Sequence, residues 1–131
     1  MDLRRYTLHK DSRLKSQKSI SEAFVRGKSI QVFPIRMYYY HLSTTGHEGV
    51  KAAFVAPKKN FKKAVDRNRV KRQMREAYRL NQYLLKDEVP PSVQINLVFL
   101  YYIRKKLHYT VIEKATQKVL RRLAKEINKE Q

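Results

Sequence analysis

The chain contains no cysteine and no tryptophan, and it has only 3 glycines in 131 residues. Without cysteine there are no disulfides, cysteine-based zinc sites or thiol catalysis, and a reducing compartment fits. Long apolar runs are also absent, because the longest, residues 97–103, is far below the roughly 20 residues that span a bilayer. We therefore expect a cytoplasmic protein with neither a membrane span nor a signal peptide.

Acidic residues are scarce as well. The sequence has 11 Asp plus Glu against 30 Lys plus Arg, a formal net charge of +19. Such a charge repels itself unless an anion neutralises it, and nucleic acid is the default polyanionic partner. With 42% hydrophobic residues the chain can bury one modest core, so we expect a single domain over residues 1–131. Its ends, about 1–10 and 126–131, are expected to be frayed.

The cations are most ordered between residues 67 and 79. At 100° per residue, six polar residues fall within an arc of about 140°: Arg67, Asn68, Lys71, Arg72, Arg75 and Arg79. A neighbouring arc is apolar and contains Val70, Met74, Ala77, Tyr78 and Leu84. The pattern predicts a helix that packs on one side and presents cations to phosphate on the other. The alternative is an ordinary solvated face, but such faces mix Glu with Lys, and here Glu76 is nearly alone.

Periodicity predicts the elements of the first half. Residues 16–26 form an amphipathic helix that Gly27 stops. Residues 32–42 form a strand whose side chains alternate. One side of that strand carries Ile35, Met37 and Tyr39, and the other Arg36, Tyr38 and Tyr40. A turn at residues 45–49 leads to a second strand at 50–56, and the two strands are predicted to form a hairpin.

In the second half Asp66 is expected to cap the basic helix, which runs to about residue 85. Pro90 and Pro91 break the chain before a third strand at residues 93–102. Thr110 and Glu113 have the spacing of a capping box. The helix that they would open has an apolar stripe formed by Ile112, Ala115, Val119, Leu123 and Ile127.

This order of elements predicts an α+β fold, a two-layer α/β sandwich with helices largely on one face of a mixed sheet. A short extra strand at residues 29–31 would make the sheet four-stranded. The uncovered face is then open to a ligand. Tyr38 and Tyr40 on that face offer stacking worth about 1–3 kcal/mol per base to single-stranded nucleic acid, although half-burial in the sheet is an equally simple interpretation.

The basic helix carries a motif with a known counterpart. Arg67-Asn68-Arg69 is followed by Lys71-Arg72 and Arg75, and it is preceded by Ala64-Val65 and by Lys58-Lys59. This pattern resembles the signature of the bacterial ribonuclease P protein subunit. Upstream, Arg13-Leu14, Phe24, Gly27 and Ser29 stand in the spacing of that family's N-terminal region. The resemblance covers residues 13–125, and a long motif of mixed residue types is unlike a chance match.

The resemblance implies a fold and an activity. The fold would be a mixed four-stranded sheet with about three helices and a left-handed βαβ crossover. The protein, monomeric by itself, would join a catalytic RNA subunit to make an endoribonuclease that removes the 5′ leader of precursor tRNA. Catalysis would belong to the RNA, with Mg²⁺ bound chiefly by RNA and substrate. No catalytic residue and no metal site are then expected in the protein.

The resemblance also implies roles for particular residues. Those expected to bind RNA are Arg67, Asn68, Arg69, Lys71, Arg72, Arg75, Arg79, Lys58, Lys59 and Arg13. Those expected to line a cleft for the leader are Ile20, Phe24, Tyr38 and Tyr40. Three places depart from the family pattern: Ile20 stands where an aromatic is common, residues 61–63 replace a usual glycine, and Tyr101-Tyr102 replaces a small residue and an arginine.

Other functions remain as alternatives. The main one is a ribosomal-type structural RNA-binding protein without a processing role. The composition alone does not distinguish it from a ribonuclease P protein subunit. A sequence-specific DNA regulator would need a helix-turn-helix signature, which is missing. An autonomous protein nuclease is disfavoured because His9, His41, His47 and His108 lack metal-ligand spacing and no acidic cluster suits two metals.

Overall fold

The computed structural model of the chain describes residues 13–43, 49–90 and 93–129. These residues form four helices and four strands. In chain order they are α1 (Gln17–Arg26), β1 (Lys28–Val32), β2 (Ile35–Ser43), β3 (Gly49–Val55), α2 (Ala64–Asn81), α3 (Tyr83–Lys86), β4 (Val93–Tyr101) and α4 (Tyr109–Lys129). The α+β class is confirmed, and the short extra strand is present as β1. The helix count is four rather than about three, because the basic helix ends at Asn81 and α3 follows it.

The strands form one mixed sheet in the order β1-β2-β4-β3. β2 pairs antiparallel with both β1 and β4, whereas β3 pairs parallel with β4. The predicted hairpin of β2 with β3 is therefore wrong: β4 lies between them. Alternation identifies the face on which a side chain lies but says nothing about which strand is the neighbour. The turn expected at residues 45–49 lies almost entirely outside the described residues.

α2 connects the parallel strands β3 and β4, so the basic helix is itself the crossover of a βαβ unit. Parallel neighbours need such a long connection because a tight turn cannot reverse the chain twice. The left hand of this crossover, which the resemblance implied, stays a prediction.

Most of the core lies between one sheet face and the helices α2, α3 and α4. Ile35 and Met37 of β2 and Leu97 and Phe99 of β4 are buried there, and the predicted stripe of α4 is buried against them. α1 packs on the opposite face over β2 and β4. The cluster beneath α1 is smaller and consists of Leu14, Ala23, Ala53 and Val98.

α1 begins and ends close to the predicted residues, but glycine is needed at its C-terminal end for a different reason from the predicted one. The Ser16 hydroxyl accepts a hydrogen bond from the Ser19 N–H at 3.3 Å, which caps the helix. Gly27 ends it with φ −77°, outside the left-handed region. A Cβ there would lie 2.4 Å from the Ala23 carbonyl oxygen and 2.6 Å from that of Tyr39. Glycine is needed for this close approach and not for a left-handed cap.

The predicted caps of the other long helices are wrong. α2 begins after Lys63 with no side-chain cap, and the Asp66 carboxylate instead pairs with Lys106 Nζ at 3.1 Å. At α4 the Glu113 carboxylate accepts from Asn81 Nδ2 at 3.2 Å and the Tyr109 hydroxyl at 3.4 Å. α4 continues to Lys129, and the expected fraying of the chain ends stays a prediction.

Candidate nucleic-acid interface

The outer surface of α2 carries the predicted cations. The helix is anchored through Val70, Met74, Ala77 and Tyr78, all of them wholly buried. Rigid packing on one side fixes the direction of the other side. We call that other side the α2 basic face, and its members are Arg67, Asn68, Lys71, Arg72, Arg75 and Arg79.

The first member of this face makes internal hydrogen bonds. Arg67 Nη1 donates to the carbonyl oxygens of Phe61 and Lys62, both at 2.9 Å. Phe61 is buried, and its ring centroid lies 5.7 Å from that of Tyr101. The loop at residues 61–63, which departs from the family pattern, is therefore anchored by its phenylalanine and tied to α2 by Arg67.

The last member forms an ion pair within the helix. Arg79 Nη2 and Nε donate to the two carboxylate oxygens of Glu76 at 2.6 and 2.9 Å. This hydrogen bond lowers the pKa of Glu76 and raises that of Arg79. Among the described residues, Glu76 is the one acidic side chain of α2 that pairs with a cation of the same helix.

The middle of the face is open. Asn68, Arg72 and Arg75 are exposed and Lys71 is partly so. The Arg75 guanidinium lies 5.8 Å from the centroid of the Phe54 ring, and this contact steadies the side chain while its nitrogens remain available. A guanidinium held in this way binds phosphate with two parallel hydrogen bonds at a reduced entropic cost.

Arg69 lies outside the arc, on the flank of α2 that faces the start of α4. Together with Arg72, Gln73, Glu76 and Tyr109 it lines a cleft of about 320 Å³. Burial, reinforced by the Glu113 and Glu76 carboxylates, raises the pKa of Tyr109 to about 12. The phenol therefore stays neutral at physiological pH.

Lys58 and Lys59 are exposed in the turn that leads from β3 towards α2. They extend the positive surface beyond the first turn of the helix. Tyr101, in contrast, is wholly buried and its hydroxyl donates to the Lys105 carbonyl at 2.6 Å. Tyr101, one of the residues expected to differ from the family pattern, is thus a packing residue in this chain. The hydroxyl of its neighbour Tyr102 accepts from Gln31 Nε2 at 3.2 Å.

The four residues predicted to line a cleft do come together. Ile20 and Phe24 of α1 and Tyr38 and Tyr40 of β2 are half-buried around the smaller cluster on the α1 side of the sheet. We call this surface the α1 cleft. The Phe24 and Tyr38 rings meet edge to face with centroids 4.7 Å apart. The Arg36 guanidinium lies 5.3 Å from the centroid of the Tyr38 ring, which adds a cation beside the aromatics.

Arg13 lies just before α1 and beside β3, not on α2. It forms an isolated parallel bridge to Ala52 of β3. A cleft of about 490 Å³ at the start of α1 is lined by Arg13, Lys15, Ser19, Lys51 and Gln94, among others. Of these, Lys15, Lys51 and Gln94 were not predicted from the sequence. The alternation of side chains along β3 could have identified Lys51, because Val50 and Ala52 are buried towards the helices and Lys51 must therefore point away from them.

The part of the chain that the structure describes offers neither a membrane span nor a metal cluster. No helix in it is long and apolar enough to cross a bilayer. No three of its His, Asp or Glu side chains are grouped closely enough to hold a metal ion. The expectation that RNA and substrate bind Mg²⁺ stays a prediction.

The fold and this surface define a class of protein: a small basic α+β protein with a cationic crossover helix on one side of a sheet and an aromatic cleft on the other. The family model described as Ribonuclease P matches residues 8–124. The chain belongs to this ribonuclease P protein family, as the motif around Arg67 predicted.

Curated relatives agree with that assignment. A ribonuclease P protein component from Porphyromonas gingivalis is 36% identical over 121 residues, which cover 91% of this chain and 88% of the relative. One from Chlorobium phaeobacteroides is 33% identical over 104 residues, 72% of this chain and 71% of the relative.

Solved structures share the fold. The RNase P protein from Thermotoga maritima superposes with a TM-score of 0.63 at 21% identity, covering 84% of this chain and 96% of that one. The Staphylococcus aureus RNase P protein gives 0.63 at 18% identity, with 86% and 94% covered. The mixed four-stranded α+β architecture is therefore the architecture of RNase P proteins.

Proposed function

We propose that this chain is the protein subunit of a ribonuclease P ribonucleoprotein, in which it binds a catalytic RNA through the α2 basic face and helps to remove the 5′ leader of precursor tRNA. Family membership supports the ribonuclease assembly. The observation that supports the RNA contact is the charge of α2. Within the part of the chain that the structure describes, Glu76 is the one carboxylate of this helix that pairs with a cation of the same helix.

Phosphate binding by α2 follows from charge and rigidity. Each cation that replaces condensed counterions on RNA gains free energy from their release. Because the buried side of α2 fixes the helix, Arg72 and Arg75 need little further ordering when they bind. Arg67 contributes differently, since its hydrogen bonds to Phe61 and Lys62 shape the loop that precedes the helix.

The leader is assigned to the α1 cleft. Phe24, Tyr38 and Tyr40 offer π-faces and edges that accept any base, as a leader of variable sequence requires. Arg13, Lys15 and Lys51 at one end of α1 add positive charge for the backbone. A single strand can expose its bases to such a surface, whereas a duplex cannot.

The test is reconstitution with a bacterial ribonuclease P RNA at low Mg²⁺, with cleavage of a precursor tRNA as the readout. We expect the chain to stimulate cleavage and the variant Arg72→Gln/Arg75→Gln, which removes two exposed cations of the α2 basic face, to lose most of that stimulation. The salt dependence of RNA binding should become shallower, its slope falling by about 0.7–0.9 for each phosphate that the variant no longer neutralises.

A matched control removes two charges elsewhere. Arg104 and Lys105 are exposed in the loop between β4 and α4, and their replacement by Gln should leave stimulation nearly unchanged. Failure of the parent chain to stimulate cleavage would contradict the proposal and favour a purely structural RNA-binding role. Equal losses in the two double variants would show that net charge, and not α2, is responsible.

A further inference from the structure

A second helix presents a row of cations. α4 exposes six of them along its outer side: Lys114, Lys118, Arg121, Arg122, Lys125 and Lys129. At 100° per residue they fall within an arc of about 100°, narrower than the arc on α2. The opposite side is buried in the core through Ile112, Val119 and Leu123. We call the outer row the α4 basic face.

Little in the described part of the chain neutralises this face. Glu126 lies 3.9 Å from Lys129 at the limit of an ion pair, with the two side chains 49% and 76% exposed. Glu113 is occupied by Asn81 and Tyr109. The other five cations form no ion pair or hydrogen bond with a described residue. Exposed like charges at i,i+4 destabilise a helix, so their accumulation favours an external anion.

The face continues onto the sheet. β1 is an edge strand, and α4 packs beside it. A cleft of about 480 Å³ lies between the two elements. Its lining includes Ser29, Gln31, Tyr39, Arg122, Lys125, Lys129 and one carboxylate, that of Glu126. Hydroxyl and amide groups beside cations are the usual donors to phosphate and ribose oxygens. α2, in contrast, contacts β3 at the opposite edge of the sheet.

The chemistry of the face indicates which form of RNA fits it. Residues 110–129 contain no aromatic side chain, so α4 itself offers no stacking platform for bases, and the Tyr39 ring in the neighbouring cleft is half-buried. Lys114 and Lys129 are separated by about 22 Å at 1.5 Å per residue, a length that follows several phosphates of a helix. Duplex RNA is bound mainly through phosphates and 2′-hydroxyls. The α1 cleft has the opposite character, because aromatic rings line it.

We propose that the α4 basic face and the neighbouring edge of β1 form a second RNA-docking surface, which binds the backbone of a duplex RNA segment other than the segment held by α2. That this duplex belongs to the catalytic RNA rests on the proposed function above. The proposal that the face binds duplex RNA does not depend on that function. Two contacts on opposite sides of the helical layer fix the orientation of a protein on a folded RNA, whereas one contact leaves it free to pivot.

The first experiment uses the full-length chain and a 20-base-pair RNA duplex of arbitrary sequence. Arg122→Gln/Lys125→Gln should weaken duplex binding at least fivefold. It should also lower the slope of log K against log salt by about 0.7–0.9 for each phosphate left without its cation. Arg104→Gln/Lys105→Gln removes the same charge and should change affinity less than twofold. All of these residues are exposed, so circular dichroism and thermal unfolding should match the parent.

Two outcomes would overturn the proposal. Equal weakening by the two double variants would show that only net charge matters. A loss of binding to vesicles of anionic lipid by Arg122→Gln/Lys125→Gln, with duplex affinity unchanged, would assign the face to a lipid surface instead.

The second experiment places the face within the ribonucleoprotein. Because the chain has no cysteine, a photocrosslinker can be attached at one site in Lys118→Cys and, separately, in Arg72→Cys. We expect the two probes to reach different segments of the RNA, with the Lys118 segment base-paired. The same segment from both probes, or none from position 118, would contradict the proposal. Absent crosslinks from position 72 would count instead against the proposed function, and the duplex measurement would still stand.

Discussion

The two faces of the sheet are built differently. Beneath α2, α3 and α4 the buried side chains are large, and Phe99 stacks on Phe54 and packs against Tyr78 with both pairs of centroids 5.4 Å apart. Beneath α1 the buried residues are mostly small, and the aromatics Phe24, Tyr38 and Tyr40 remain half-exposed. The first face stabilises the fold, whereas the second keeps apolar surface accessible to a ligand.

The largest expected effect tests this contrast in stability. Phe99→Ala removes a wholly buried ring and should lower the free energy of unfolding by about 3–5 kcal/mol. Tyr40→Ala, on the α1 side, should cost about 1 kcal/mol or less because its ring is already partly in water. Urea denaturation of both variants provides the measurement. Similar losses would mean that the α1 side carries as much of the core as the helical side.

Gly27→Ala tests how tightly α1 is joined to the sheet. The added Cβ would meet the carbonyl oxygens of Ala23 and Tyr39 at distances that force the backbone to move. We expect a loss of about 1–3 kcal/mol in thermal unfolding, together with weaker leader binding because the α1 cleft is displaced. A variant as stable as the parent would show that α1 moves freely on the sheet.

Tyr38→Leu sharpens the comparison at the level of binding. The ring meets Phe24 and Arg36 on the α1 side, and loss of one stacked base costs about 1–3 kcal/mol. The preference of the reconstituted enzyme for precursor over mature tRNA should therefore fall at least fivefold. Tyr39→Leu changes the adjacent ring on the helical side and serves as the control. It should leave that preference unchanged even if stability falls.

The smallest expected effect concerns the ion pair on α2. The hydrogen bond from Arg79 lowers the pKa of Glu76 below its ordinary value of 4.5. Its stabilisation is therefore present above that value and is lost as pH falls through the lowered pKa. Both side chains are more than a third exposed, so Glu76→Gln should cost only a few tenths of a kcal/mol at pH 7. The difference between parent and variant should vanish in acid denaturation series below that window, and Arg79→Gln should behave alike.

Much of this arrangement was predictable from local pattern. The period of 3.6 located α1, α2 and α4, and the period of 2 put Met37 and Tyr38 on opposite faces of β2. The motif from Arg67 to Arg75 identified the family. These signals are local, because each depends only on how a helix or strand presents neighbouring residues.

The wrong predictions concern partners that lie far apart in the chain. β2 pairs with β4 rather than β3, and Asp66 pairs with Lys106 rather than capping its own helix. Glu113 likewise binds Asn81 instead of completing a capping box. A carboxylate near a helix start has several possible donors, and tertiary packing decides among them. The roles of the individual RNA-binding residues stay predictions.

The hydrogen bonds of Arg67 affect how activity screens of its variants should be interpreted. A screen that scores variants by activity alone would group Arg67→Ala with Arg72→Ala, although the causes differ. Loss of the first side chain releases two main-chain acceptors in the loop before α2, so defective activity would arise from a loosened approach segment. Loss of the second removes only an exposed cation. Melting temperatures collected beside the activity scores would separate an arginine that holds the loop from one whose loss leaves the fold unchanged.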